Sequence, residues 1–401
     1  MLDFDVAQEQ LAQAGTPPQQ TESCTLRKAR GRILAQSLSA HLDMPPADNS
    51  AMDGYAIRLA DYQPGTGLPV QQRCYAGEQP QPLQPGQCIR IFTGSLIPEG
   101  ADTVVIQEDC TETDNVLFIN EAPTQGEHIR RRGEDVRKDS ILLEAGTLIG
   151  AAETALLASQ GYAELPVFPR LKIGILTTGD ELAELGQPLQ AAQIYNSNGP
   201  MLAALAEGLG ADPVHVLHAR DTMESLEPAL QTLINDCDLI LSVGGVSVGE
   251  KDLVKPAIEK AGGKLDLWRV KMKPGKPVAL ARAQGKPIVC LPGNPVSAFA
   301  VFALLVSPLV RHMQGRSQWM PAVEHAHLDA PAPYNDIRDE FIRVRAERSA
   351  NGTTRLGVFS RQGSGVVSSL PWSEGLARIP AGTQAKPGDL VPFYSWAHWL
   401  K

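Results

Sequence analysis

Positive charge is what this chain has least to spare: 36 Lys and Arg stand against 45 Asp and Glu over 401 residues, a net charge of −9. That balance excludes a broad nucleic-acid or anionic-membrane surface, because either partner would be repelled over most of the molecule. Neither nucleic acid nor membrane is expected as a partner, and any anion must be met locally. Cysteine is scattered. Cys24, Cys74, Cys88, Cys110, Cys237 and Cys290 form no C-x-x-C pair and no Cys/His cluster of zinc spacing, so they read as reduced, buried thiols of a cytoplasmic protein. Long apolar runs are missing as well. The richest, 298–310, spans thirteen residues and reads as a core helix, short of the roughly 20 needed to cross a bilayer. The N-terminal MLDFDVAQEQ carries acids where a signal peptide needs bases and an apolar run. No internal repeat or low-complexity tract is present.

What remains is a globular composition, 43% hydrophobic and 20% charged, in a chain too long for one ordinary core. At about 100 to 200 residues per domain it holds two to four units. The first stretch, with Phe4, Val6, Leu11, Leu26, Ile33 and Leu34 among polar residues, predicts two amphipathic helices broken at Gly15-Thr16-Pro17-Pro18. From 45 to about 140, short alternating runs such as Cys88-Ile89-Arg90-Ile91-Phe92 and Thr103-Val104-Val105-Ile106 lie between glycine turns, which predicts a β-rich domain. After a helical patch at 151–159, strand, loop and helix alternate, the pattern of a parallel sheet with covering helices. Strands are predicted at 171–176, 214–217, 239–243, 267–270 and 288–291, with an extra one at 278–282. Helices are predicted at 200–209 and 253–260. Beyond Gly315 short strands return, at 341–345, 356–359 and 390–394, which fits a small closed or sandwich-like β domain.

In a parallel α/β sheet the strand C-termini share one edge, and ligands bind in the crevice outside it. The unusual loops of this chain fall there. They are Thr177-Thr178-Gly179-Asp180-Glu181, Gly244-Gly245-Val246-Ser247-Val248-Gly249-Glu250-Lys251-Asp252, Lys271-Met272-Lys273-Pro274-Gly275-Lys276-Pro277 and Pro292-Gly293-Asn294-Pro295-Val296-Ser297. Three glycines and a serine before a helix let backbone N–H groups converge on an anion, and the helix N-terminus adds partial positive charge. A phosphate is the natural guest, in a loop of neither the G-x-x-x-x-G-K-[ST] nor the G-x-G-x-x-G pattern; a tight turn is the alternative. Asp252 beside that cradle suits Mg²⁺, which needs hard oxygen ligands, or else it is an acid favoured by the helix dipole. Asp180 and Glu181 are acids on a neighbouring loop, and Asp221 is either a fourth or the cap of a D-x-x-E box with Glu224. Lys271, Lys273 and Lys276 suit an oxyanion. Asn294 and Pro295 have a sufficient structural reading as N-cap and first helical residue. The β-rich part adds Pro45 to Ala56, Phe92-Thr93-Gly94-Ser95 and Arg130-Arg131-Arg132-Gly133-Glu134-Asp135, each also readable as a turn or solvated face.

Taken in order, NSAMDGYA, FTGS, RRRGED, TTGDEL, QIYNSN, GGVSVGEKD, KPGKP and LPGNPVSA resemble the molybdopterin molybdenumtransferase family, known as MoeA and as the E domain of gephyrin. The resemblance runs over nearly the whole chain. It implies a multidomain α/β plus β protein: an N-terminal helix, 1–20, packing on the α/β domain; a helical linker domain, 21–45 and 141–169; a β-rich domain, 46–140; a central parallel α/β domain like the molybdopterin adenylyltransferases, 170–318; and a C-terminal β-barrel, 319–401. It also implies a homodimer in which Asp53, Thr93 and Asp135 reach the crevice of the other subunit.

The implied reaction takes adenylated molybdopterin and molybdate, cleaves the adenylate with Mg²⁺, and releases AMP and molybdenum cofactor. Asp53, Asp135, Glu181, Asp221 and Asp252 would be catalytic, the last three also holding the metal. Thr93, Gly179, Asp180, Gly244, Gly245, Ser247, Gly249, Lys271, Lys273, Lys276, Pro292, Pro295, Ser297, Arg343 and Ser364 would bind substrate. For Arg343 and Ser364 the matches are the short EFIRVRA and RQGSG. Molybdopterin adenylyltransferase and apo-molybdoenzymes are the implied partners. The chain departs from the family pattern at Val243, where many relatives have Ser, and at Ala192, where Gly is common. Two other readings stay open: a catalytically weakened paralogue that carries the cofactor or acts as a scaffold, and an enzyme that makes the adenylate.

Overall fold

A computed structural model describes residues 1–245, 253–348 and 352–401, with the backbone alone at 266–268. Contacts divide the chain into two compact units, Met1–Gln36 with Ala145–Ala151 and Glu164–Lys401, and Ser37–Glu144 with Ala152–Ala163.

The smaller unit is built on a six-stranded sheet of short strands in the order Thr103–Ile106, Gly54–Ile57, Cys88–Ile91, Leu68–Cys74, Val116–Ile119, Cys110–Thr113. Alternate residues feed two small cores, Tyr55, Ile57, Val70 and Leu117 in one and Ala56, Ile89, Ile91 and Val104 in the other. Asp114 and Asn115, at φ 50° and 65°, make the tight turn between the last two strands.

In the larger unit the α/β sheet has strands β1 (Lys172–Thr178), β2 (Asp212–Ala219), β3 (Leu239–Val243), β4 (Lys264–Arg269), β5 (Pro277–Ala283) and β6 (Lys286–Leu291), in the order β2-β1-β3-β6-β5-β4. All six were expected. Four of them, β2, β1, β3 and β6, run parallel, but β5 is antiparallel to β6 and β4 is antiparallel to β5. The reversal comes from a two-residue turn in which Gln284 and Gly285 both take positive φ, 49° and 81°. Such a turn joins strands as a hairpin and leaves no room for a crossover helix.

Helices α1 (Phe4–Ala12), α2 (Asn198–Gly208), α3 (Met223–Asp236), α4 (Val254–Lys260) and α5 (Pro295–Met313) cover the sheet. The helix α5 is longer than its apolar run suggested, because Pro295 starts its first turn and Arg311 to Met313 form its last. By length and composition it could cross a membrane; 89% of its apolar window is nevertheless buried inside the protein. A helix surrounded on all sides has no polar face to keep. The second N-terminal helix is absent. Glu22–Thr25 is instead a strand paired with Glu164–Val167, followed by one 3₁₀ turn at Leu26–Lys28.

The N-terminal helix α1 lies along α5, with Phe4, Ala7 and Leu11 fully buried and the Gln8 side chain donating to the Leu304 carbonyl at 2.6 Å. Asp5 meets Arg378 through both carboxylate oxygens, 2.7 and 2.9 Å. Past α5, five strands close a barrel, since Asp339–Arg348 pairs with both Thr354–Val358 and Gly375–Ile379 while Glu324–Asp329 and Leu390–Ser395 complete the ring. The short strand Met272–Lys273 joins the barrel strand Asp339–Arg348 in parallel.

Phe4 sits 4.6 Å from the Phe341 ring and edge-on to Tyr394. Phe4→Ala is expected to lower the stability of this unit by about 3 kcal/mol, read as a shifted denaturant midpoint.

Candidate active site

Because β1, β3 and β6 run parallel, the chain leaves all three at one edge of the sheet. It leaves β1 through Gly179 at φ 144°, β3 through Gly244 and Gly245 at 93° and 62°, and β6 through Pro292-Gly293-Asn294. Gly244 is confined. A Cβ there would stand 2.9 Å from the Thr178 carbonyl oxygen and 2.8 Å from its hydroxyl, so a side chain would push the β3 loop off the β1 loop. Gly293 is the reverse case, with nothing within 4 Å of where its Cβ would be. Between these loops opens a cavity of about 760 Å³, walled by Gly179, Glu181, Asp221, Gly244, Gly245 and Pro295 among others. That is the size of a site for a small organic ligand.

Side chains lock the loops to one another. The Asp221 backbone N–H donates to the Asp180 carboxylate at 3.3 Å, so Asp180 serves as a tie. Asn198 donates its amide to the Gly293 carbonyl at 2.7 Å, and Asn196 donates to the Thr177 hydroxyl at 2.8 Å while accepting from the Gly199 N–H. Asn196 thereby does the capping at α2, which starts at Asn198, ahead of the expected position. Val296 N–H donates to the Ser364 carbonyl at 3.2 Å, which brings Gly365 and Val367 to the cavity rim. Pro292 and Ser297 are buried beside the cavity wall.

Two expected caps are made otherwise. Thr222 caps α3 by accepting from the Ser225 N–H, so Asp221 sits one residue outside the cap and lines the cavity. Asn294 is the N-cap residue of α5, with Pro295 in the first turn, yet its exposed side chain makes no capping bond and faces the cavity.

Glu181 and Asp221 are the acids that the described wall contributes. Ser247, Gly249 and Asp252 lie outside the described residues. Among the described residues no group of three His, Cys, Asp or Glu could hold a metal. Two carboxylates are hard oxygen donors of the kind that Mg²⁺ takes. At the cavity wall Val243 is 2% exposed and belongs to the main core, so it adds an apolar contact there. Ala192 takes φ 67°, a left-handed conformation that glycine adopts without strain.

The lysine loop is committed to the barrel. Lys273 Nζ lies 2.9 Å from Glu340 and 3.1 Å from Asp336, and the Glu340 hydrogen bond raises its pKa. Burial works to raise the Asp336 pKa, but hydrogen bonds from Arg338 and Lys273 outweigh it and hold the carboxyl at about 2. Lys271 is half-buried and Lys276 is exposed. Arg343 is 1% exposed; its Nε donates to the Ser369 hydroxyl and its Nη2 to the Arg361 and Gly363 carbonyls. Burial lowers its pKa to about 10, and its buried Nη1 has no partner among the described residues. The guanidinium therefore shapes the loop that carries Ser364.

In the smaller unit the Thr93 N–H and hydroxyl both donate to one Asp53 oxygen at 2.8 Å, which lowers the Asp53 pKa. Asp135 is exposed and its N–H bonds the Met44 carbonyl. The residue that organises the arginine turn is Asp48, which accepts from Arg131 Nη1 at 2.7 Å and the Arg132 N–H at 2.8 Å. Asp336 and Glu340 were not singled out from sequence, and Asn294 was read there as a structural cap alone.

Three family models match the chain end to end: the MoeA N-terminal region, domains I and II, at 2–161; a probable molybdopterin binding domain at 174–312; and the MoeA C-terminal region, domain IV, at 325–396. The chain is 40% identical to a molybdopterin molybdenumtransferase of Haemophilus influenzae over 337 residues, covering 84% of this chain and 82% of that one. It is 40% identical to the protein of that name from Nostoc over 379 residues, covering 91% and 86%. A crystal structure of the molybdopterin biosynthesis moeA protein from Pyrococcus horikoshii matches with a TM-score of 0.84 at 29% identity, over 98% of this chain and 99% of that one.

Gly244→Ala is expected to lose about 1–2 kcal/mol of stability from the left-handed backbone alone, together with the ligand. Gly293→Ala should leave thermal unfolding unchanged and weaken only ligand binding. Equal effects of the two in calorimetry would contradict the distinction.

Proposed function

This chain belongs to the molybdopterin molybdenumtransferase family and acts in molybdenum cofactor biosynthesis; from that premise we propose that the crevice holds adenylated molybdopterin while molybdate supplies the metal and AMP leaves. The observation that carries this reading is the meeting of three strand-end loops and two acids around one cavity of about 760 Å³. Gly244 and Gly245 present backbone to the pyrophosphate, and α5 directs its N-terminus at the same space. Pre-set dipoles would stabilise the charge that develops as a water oxygen bonds to the molybdopterin-side phosphorus, the phosphoanhydride bond breaks and AMP departs with the bridging oxygen.

Glu181 and Asp221, with Asp252, would hold Mg²⁺. A divalent ion held by these carboxylates would supply charge neutralisation at the phosphates. Lys273, Lys276, Ser297, Arg343 and Ser364 would receive molybdate, a tetrahedral dianion. The buried Nη1 of Arg343, without a partner among the described residues, supports an anion role on that side. The active assembly is a homodimer in which Asp53, Thr93 and Asp135 serve the crevice of the second subunit. Molybdopterin adenylyltransferase supplies the substrate and apo-molybdoenzymes take the product, in the cytoplasm. A carrier or scaffold role is not favoured, since relatives at 40% identity are transferases.

Purified chain should release AMP from adenylated molybdopterin only with both molybdate and Mg²⁺ present. Asp252→Asn, Asp221→Asn and Glu181→Gln should each slow release by at least about a hundredfold, the loss expected for one charge-stabilising group. Normal turnover by Asp252→Asn would show the metal assignment to be wrong, and ATP-dependent adenylation of molybdopterin would favour an adenylate-making enzyme. Mixing Asp53→Asn with Asp252→Asn chains should restore about a quarter of wild-type activity if sites are shared across a two-fold axis. No recovery after subunit exchange would place Asp53 in its own subunit's site.

A further inference from the structure

The lysine assigned to the oxyanion is already occupied. Lys273 and Glu340 are register partners on adjacent parallel strands, so their side chains project to the same side of the sheet. The Glu340 carboxylate has a side-chain exposure of 8% and Lys273 is the one cation within ion-pair distance of it among the described residues. Asp336 holds the same ammonium from the second side but also accepts from the Arg338 backbone N–H and Nε, at 3.0 and 3.2 Å. An ammonium has three donors, and two of them are taken by these carboxylates. Two carboxylates on one ammonium offer what a tetrahedral dianion would offer: oxygen acceptors and two negative charges.

We propose that Glu340, assisted by Asp336, is the residue that sets molybdate affinity, by competing with the oxyanion for Lys273. The inference rests on the reading that Lys273 binds molybdate. An incoming dianion must either displace Glu340 from Nζ or share Nζ with a carboxylate that repels it. The two acids are not equivalent. The charge of Asp336 is already shared with Arg338, whereas Lys273 is the one ion-pair partner of Glu340 among the described residues, so Glu340 carries the larger part of the penalty. Because Lys273 keeps a side-chain exposure of 42%, solvent screens the repulsion and limits the effect to about five- to tenfold.

The test is calorimetric titration of the intact chain with sodium molybdate, repeated as KM for molybdate in the AMP-release assay. Lys273→Gln should weaken binding by about tenfold or more. Glu340→Gln should tighten it about five- to tenfold and lower KM without raising kcat, with a smaller tightening for Asp336→Asn. Structural damage would not produce tighter binding, so the direction itself separates competition from misfolding. Glu340→Ala serves if the glutamine variant does not fold. If Lys273→Gln binds normally, the molybdate reading of Lys273 fails and this inference with it. If Lys273→Gln binds weakly but neither Glu340 variant tightens binding, the inference alone is overturned, and Glu340 is a positioning residue for the lysine.

Discussion

The crevice depends on how closely the backbone leaving β3 can approach the backbone leaving β1. Gly244 packs against Thr178 at φ 93°, a left-handed conformation, and so closely that an added Cβ would stand 2.9 Å from the Thr178 carbonyl oxygen. That contact keeps the two loops side by side, which in turn places Glu181, on the β1 loop, across the same cavity from Asp221 on the β2 loop. The Asp180 tie to the Asp221 N–H and the Asn198 tie to the Gly293 carbonyl extend the arrangement to the other strand ends. Preorganisation of this kind places donors and acids before any ligand arrives.

A second constraint acts on the far side of the domain. The apolar helix α5 is buried nearly all round, and α1 covers it through Phe4 and Leu11. The same packing fixes the lysine loop, because Leu2 pairs with Val270 and the Lys271 N–H donates to the Leu2 carbonyl at 2.8 Å. Met272–Lys273 then joins the barrel, whose strand supplies Glu340 and Arg343. The barrel strand that pairs with Met272–Lys273 thus carries both Glu340, which with Asp336 holds Lys273, and the buried Arg343, which shapes the Ser364 loop.

The α/β strands were legible as short runs rich in aliphatic residues, three of which, β1, β3 and β6, end at glycine or proline, and the eight ordered motifs made the family legible. What sequence hid was set by distant partners. The β5–β6 hairpin turns on Gln284-Gly285, a weaker signal than Asn-Gly, so its strand read as an addition to a parallel sheet. The supposed second N-terminal helix becomes a strand because Glu164–Val167 offers it a ladder. Asp221 and Glu224 look like a capping box until Thr222 is seen to cap. Nothing near Lys273 in sequence announces Asp336 and Glu340, which come from another domain.

The decisive measurement is a crystal structure of the chain with adenylated molybdopterin. The pyrophosphate should lie within hydrogen-bond distance of the Gly244 and Gly245 backbone, with Glu181 and Asp221 flanking it. An adenylate bound away from these loops, with the Gly244 crossing left empty, would contradict that placement.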